Sequence, residues 1–259
     1  MSQFTKVFLV LALCFLGFSA ASASPNAQII LAASDAVRNP DYPFGMINTL
    51  VEYRNGKQTD SSALQIYSKA DQFSGQFRSL IRYVAPARDA NKLILYNGKD
   101  LWFYDPSSKA SIRLSPQQRL LGQASNGDVA TVNFAKDYQA NIATEEDIQD
   151  GEQQTRHCYK LTLSSITINA SYHHIEMWIE ITNAHPIKAH FYTESGKRLK
   201  TTYYRHYKTV AGAERPTEMV IIDGLDSNWV TVMRYSDWSK REVPEVWLQR
   251  DYLPRFRPE

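Results

Sequence analysis

The chain has 259 residues, 43% of them apolar and 12% aromatic, with a formal charge of +2. That is enough apolar material for the core of one domain, since β sandwiches and barrels run to about 200–250 residues as single units. Near-neutrality leaves no electrostatic footprint for nucleic acid, and two cysteines supply neither a disulfide framework nor a Cys-x-x-Cys metal pair.

The N-terminus reads as an export signal. Lys6 precedes the apolar run Val7–Phe18, and Ala21-Ser22-Ala23 is a small-residue cleavage pattern. The run is short for a membrane span, and no basic stop-transfer cluster follows it. Residues 1–23 are therefore expected to be a cleaved signal peptide, and residues 24–259 one exported domain. A lipid anchor at Cys14 is disfavoured, because Leu13 stands where a small side chain is preferred. Cleavage removes Lys6 and Cys14, leaving 29 − 1 = 28 basic residues against 27 acidic ones, a charge of +1. Cys158 is then alone, and is read as a small core residue, with a reactive thiol beside His157 as the alternative.

The mature chain opens on Asn26–Val37, alanine-rich with Ile29, Ile30, Leu31 and Val37, which predicts an amphipathic helix stopped before Asn39-Pro40. It serves either as a lid over a sheet or as an ordinary packing helix. Strands are predicted over Phe44–Tyr53, Ala63–Ser68 and Phe73–Val84, with turns at Asn55-Gly56 and Asp71-Gln72. Along Phe77–Tyr83 the two-residue period puts Arg78 and Arg82 on one face, either as solvated arginines or as a pair at the rim of a ligand site. Leu93–Tyr96, Leu101–Tyr104 and Ala110–Leu114 form an aromatic meander, turned by Asn97-Gly98 and Asp105-Pro106-Ser107-Ser108.

Ser115-Pro116 is a helix-start pattern, so Ser115–Gln123 is expected to be helical, Gly122–Asp128 a loop, and Val129–Phe134 the start of another short helix. Strands resume over Tyr138–Ile148, Gln154–Ser164, Tyr172–Thr182, Pro186–Glu194 and Arg198–Tyr207, and then over Glu214–Gly224 and Asn228–Trp238. Pro244–Leu253 ends the chain as a short helix or a last strand. The total is about eleven antiparallel strands with a few short helices.

An apolar sheet face of this length must be covered. Full closure, a second sheet, or a half-open barrel under helices would each do so. The helix at Asn26–Val37 and the helical insert around Ser115–Phe134 favour the third. The expected fold is thus mainly β, a single antiparallel half-open β-barrel covered by short helices, with room for an apolar ligand.

Catalytic and metal patterns are weak. His173 and His174 are strand neighbours and face apart, as do His157 and Cys158, and no Gly-x-Ser-x-Gly elbow or phosphate loop occurs. The acids around Asp150-Gly151 lack the spacing of a calcium loop. No metal, no cofactor and no enzymatic activity are expected, although a triad built from distant residues is left open. The basic, tyrosine-rich run Lys197–Lys208 reads as an ordinary hairpin, with a docking surface as the alternative.

Asn97-Gly98-Lys99-Asp100-Leu101-Trp102-Phe103-Tyr104-Asp105-Pro106 is similar to the strand-turn-strand signature of the LolA-like outer membrane lipoprotein-sorting family. The arginine-bearing strand Phe77–Val84, the Arg113-Leu114 strand end, the segment Ser125-Asn126-Gly127-Asp128 and the later run Ser195–Thr201 follow the same order. The resemblance covers most of the mature chain. It implies a periplasmic carrier or binder of a lipid or lipidated protein, with acyl chains as cargo. An inner-membrane exporter of the resistance-nodulation-division type and an outer-membrane acceptor are the implied partners. A sensor or regulator domain that binds a membrane protein is the alternative. Strand alternation nominates Trp102, Tyr104, Ile112, Met177 and Ile179 as cavity residues with Arg78 and Arg82 at the rim; Leu101 and Phe103 are the opposite choice on their strand.

Overall fold

In a computed structural model of the chain, residues 26–257 are described, apart from Lys99 and Asn169. The expected signal peptide, including Cys14, lies outside the described residues. The chain begins with α1 (Ala27–Arg38), whose N-cap Asn26 accepts hydrogen bonds from the backbone of Gln28 and Ile29. A meander of six strands follows: β1 (Phe44–Arg54), β2 (Lys57–Ala70), β3 (Phe77–Ala85), β4 (Leu93–Tyr96), β5 (Leu101–Asp105) and β6 (Ala110–Leu114). An insert comes next, made of β7 (Arg119–Leu121), β8 (Ala124–Ser125), α2 (Asn126–Val129) and α3 (Phe134–Asp137). Seven more strands complete the sheet: β9 (Tyr138–Gln149), β10 (Thr155–Ser165), β11 (His174–Glu180), β12 (Pro186–Tyr192), β13 (Arg198–Val210), β14 (Ala213–Asp223) and β15 (Trp229–Lys240).

Thirteen strands form one antiparallel sheet in the order β6-β5-β4-β3-β2-β1-β15-β14-β13-β12-β11-β10-β9, more than the total of about eleven expected. Even the acidic segment Tyr138–Gln149 is a full strand, because as an edge it keeps its carboxylates in solvent. The first strand pairs with the last, so both free edges, β6 and β9, come from the middle of the chain. The insert must therefore run from one edge of the sheet to the other. It crosses the concave face and covers it there.

The insert departs most from expectation. Ser115–Gln123 is not a helix but a turn followed by the β7–β8 ladder, and the short helices α2 and α3 come after it. Long-range bonds decide this: Gly127 N–H donates to Pro116 O, and Asn126 N–H to Gln118 O, both at 2.9 Å. Gly122, at φ 54°, approaches the sheet so closely that a β-carbon would stand 2.3 Å from Thr231 Oγ1. Elsewhere the Asp71 turn extends to Gln76, so β3 starts at Phe77 rather than Phe73, and the β4–β5 turn spans Asn97–Asp100.

Cross-strand rows assign the faces. Ile66, Ile81, Ile94 and Phe103 lie opposite one another across β2–β5 and pack on the concave side. The alternate row, Tyr67, Leu80, Leu95 and Trp102, faces outward. There it is covered by the C-terminal 3-10 turns Glu245–Leu248 and Arg250–Arg255, which contribute Trp247, Leu248 and Leu253.

The convex side of β10–β13 is polar but ordered. Lys160 and Lys188 flank the indole of Trp178 at 5.0 and 4.7 Å from its ring centre. Glu176 accepts from Lys160 at 2.6 Å, Tyr192 at 2.6 Å and His190 at 3.3 Å. Burial pushes the Glu176 carboxyl upward, but these donors outweigh it and bring the group down to about 2. A depressed carboxylate stabilises the fold above its unfolded value of 4.5, and that contribution is lost as pH falls toward about 2. Glu176→Gln should therefore flatten the fall in urea midpoint below pH 4.5 relative to the unmodified chain. An identical acid limb in both proteins would show that the network carries no charge-dependent stability.

Candidate functional site

Between the concave face, α1 and the insert lies a cavity of about 70 Å³. Its floor is Phe44, Met46, Phe191, Tyr204, Met219 and Tyr235, and its roof is Val129–Phe134 of the insert. The site is mostly apolar, and its volume admits a few waters but not an acyl chain. A crevice beside it, lined by Leu101, Gly127, Phe134, Tyr138 and Ser171, runs between α3 and the β10–β11 connection.

Two buried ion pairs pin the insert at the ends of this cavity. At one, Asp128 of α2 pairs with Lys200 on β13, their side chains 7% and 4% exposed. Asp128 also accepts from Ser125 N at 2.7 Å, Ser125 Oγ at 2.9 Å and Tyr172 Oη at 2.8 Å, and Lys200 donates to Gln123 O at 3.3 Å. Burial pushes the Lys200 ammonium down from its ordinary value while Asp128 opposes it. The Tyr172 phenol is driven well up, by burial first and then by the Asp128 charge. At the other end Arg38 of α1 pairs with Asp35 and donates to Val132 O at 3.2 Å, while Ala135 N–H donates to Asp35 at 2.8 Å. Burial raises the Asp35 carboxyl, with Arg38 working against it. Between the pairs, Ser68 and Thr131 share a hydroxyl bond of 2.8 Å from sheet to insert.

None of the five nominated cavity residues lines this space. Met177 and Ile179 are fully buried on the cavity side of β11, but they sit in the cluster under α1 with Leu31. Trp102 and Tyr104 pack on the opposite face against the C-terminal turns, and Ile112 on edge strand β6 is 52% exposed. Leu101 and Phe103 are the concave-side residues of β5, and Leu101 reaches the crevice. Alternation separates two faces but does not say which is concave; here the C-terminal turns claim the Trp102 face. Arg78 and Arg82 point the same way as Leu80, away from the cavity. Arg78 binds Glu245 at 2.7 Å and Leu248 O at 3.2 Å, and Arg82 binds Asn91 at 3.2 Å.

Arg78 is thus a clasp for the C-terminal segment. Arg78→Ala should cost about 1–2 kcal/mol, since charge-assisted bonds lose worth when one partner is exposed as Glu245 is. It should also speed proteolysis after residue 240 while leaving the cavity unchanged. Unaltered cleavage kinetics would refute the clasp.

The residues that sequence reasoning did not nominate are the ion pairs and the roof. A signal was present in Ser125-x-x-Asp128, which forms a capping box at α2. Cys158 is buried beside Trp178 and Ile187, and burial pushes its thiol up to about 12, the environment of a core residue. His157 turns outward to Asp147 and Glu145, at 2.7 and 2.8 Å. Among the described residues no group of three or more His, Cys, Asp or Glu is placed to hold a metal ion, and no helix is long and apolar enough to cross a membrane.

A family model described only as an uncharacterized protein matches residues 75–255. No curated sequence matches the chain. Among solved structures, a LolA superfamily protein from Nitrosomonas europaea is 34% identical, with a TM-score of 0.78 over 88% of this chain and 100% of its own. A DUF1329 family protein from Desulfovibrio piger is 19% identical, with a TM-score of 0.73 over 87% of this chain and 97% of its own. A domain from Vibrio parahaemolyticus named for outer membrane lipoprotein sorting is 17% identical, with a TM-score of 0.72 over 88% and 98%. The last two share the fold.

Proposed function

The chain belongs to the LolA superfamily, and on that premise we propose that it is a periplasmic carrier that binds the acyl chains of a lipid or lipidated protein and performs no catalysis. The observation that carries this reading is the apolar cavity between an open concave sheet and an insert that packs apolar side chains such as Val129 and Phe134 on it and is fixed by a few buried polar bonds. A sheet whose two edges are joined across its concave face has a natural roof. Displacing that roof opens apolar surface without breaking the thirteen-stranded ladder. Each methylene then buried contributes about 0.8 kcal/mol, so a partial acyl chain binds with no specific polar contact. The signal-peptide pattern expected of residues 1–23 supports export, and the sorting name borne by the Vibrio parahaemolyticus relative fits a lipidated cargo. Delivery would run from an inner-membrane exporter of the resistance-nodulation-division type to an outer-membrane acceptor.

The test is gentle purification of the mature chain from a native envelope, followed by organic extraction and mass spectrometry. One lipid or acylated peptide per chain is the expected result. An empty protein that also fails to take up a fluorescent fatty acid would overturn the proposal.

A further inference from the structure

The concave-side cavity is not the only apolar feature that calls for an occupant. Among the described residues, Phe73 is 99% exposed and Ile168 97%, with Ile29 at 68% and Ile166 at 60%. These four come from three separate segments, yet all three segments are tied to α3. The Phe73 turn is held by Gln76, which donates to Asp137 at 3.0 Å and to Asn133 O at 3.1 Å, and Asn133 donates back to Gly75 O at 2.8 Å. The β10–β11 connection is held by Ile166 N–H to Asp137 O at 2.9 Å. Beside Ile29, Gln28 donates to Ala135 O at 2.8 Å and to Tyr138 O at 3.0 Å. The segments that carry the exposed apolar side chains therefore meet at one short helix, which also lines the crevice of Phe134, Asp137 and Ser171.

We propose that this rim is a docking surface for a phospholipid bilayer, which sets the mouth of the lipid cavity against the membrane; the inference rests on the carrier reading. Three features favour a bilayer over a protein partner. Phe73 and Ile168 stand alone at loop tips rather than forming a continuous face, and a fluid apolar medium accepts isolated knobs without shape complementarity. Three N–H groups of the Phe73 tip are bonded within it: Asp71 Oδ1 accepts from Phe73 N–H at 3.1 Å and Ser74 N–H at 2.9 Å, and Asp71 O accepts from Gly75 N–H at 2.9 Å. Such a tip carries fewer free donors into the interface than an open loop would. Lys136 on α3 is exposed, makes no ion pair among the described residues, and lies so close that a β-carbon on Gly75 would stand 2.9 Å from its Cε. It supplies a cation at the level of lipid phosphates.

The experiment is flotation of the mature chain with vesicles of phosphatidylethanolamine and a minority of phosphatidylglycerol. Phe73→Ser combined with Ile168→Ser should reduce partitioning by about tenfold or more, since two large apolar groups leave the interface. Leu225→Ser, at an exposed apolar site in the β14–β15 turn at the other end of the β1–β15 pair, should leave it unchanged. The double variant should keep its melting temperature and its uptake of a fluorescent fatty acid in solution, because both side chains lie outside the cavity. Failure of the unmodified chain to float, or flotation of the double variant at the unmodified level, overturns the rim while leaving fatty-acid uptake to judge the carrier. A dimer that is lost with Phe73→Ser, without vesicle binding, would assign the rim to a second copy and overturn it as well.

Discussion

Asp128→Ala is expected to destabilise the fold by about 3–5 kcal/mol, a fall of roughly 10 °C or more in melting temperature for a domain of this size. The substitution leaves the ammonium of Lys200, 4% exposed, without its counter-charge, and strips Ser125 and Tyr172 of their acceptor. Lys200→Met should cost less, about 1–3 kcal/mol, because Asp128 keeps three donors, from Ser125 N, Ser125 Oγ and Tyr172 Oη. Replacing both, Asp128→Leu with Lys200→Met, should recover part of the loss, since a buried ion pair exchanged for apolar volume is often neutral. Thermal melts of the three variants measure this directly. A ranking with Lys200→Met as the most damaging would show that the lysine, not the carboxylate, is the hub.

The second large effect concerns ligand entry. Ser68 Oγ and Thr131 Oγ1 are 2.8 Å apart, one on β2 and the other in the roof, close enough for a cysteine pair to bridge them. Ser68→Cys with Thr131→Cys, once oxidised, ties the insert to the sheet across a separation of 63 residues and should add about 4 kcal/mol of stability by the loop-entropy relation. A cavity of about 70 Å³ cannot take an acyl chain while its roof is down. The oxidised form should therefore lose about tenfold or more of its fatty-acid uptake, and reduction should restore it. Buried Cys158 should not interfere. Full uptake by the oxidised form would mean that ligand enters by a route other than lifting the insert.

Local patterns made much of the architecture legible. The alanine-rich run with Ile29, Ile30 and Leu31 before Asn39-Pro40 marks α1, and Asn26, read as its first residue, caps it instead. Asn55-Gly56 marks the β1–β2 hairpin because both residues must adopt positive φ, here 50° and 74°. Two-residue alternation alone separates Leu80, Leu95 and Trp102 from Ile81, Ile94 and Phe103. Those effects act within a few residues. Residue order was therefore sufficient for the strand-rich class, the opening helix and the membership of each strand face.

Contacts distant in the chain set the rest. Nothing local says that the outward row will be covered by Trp247 and Leu248, which makes the Trp102 face the convex one. Nothing local turns Ser115–Gln123 away from a helix; its partners are Thr231, Gly127 and Asn126. The pairing of β1 with β15 is likewise non-local, and it sends the insert across the concave face. The cavity, the Asp128–Lys200 pair and the rim around α3 all follow from that one crossing, whereas Asp35 and Arg38 are neighbours on α1 that the insert only covers. The first three arise only on folding, because charges such as Asp128 and Lys200 are stable in a core only where the folded chain brings them together.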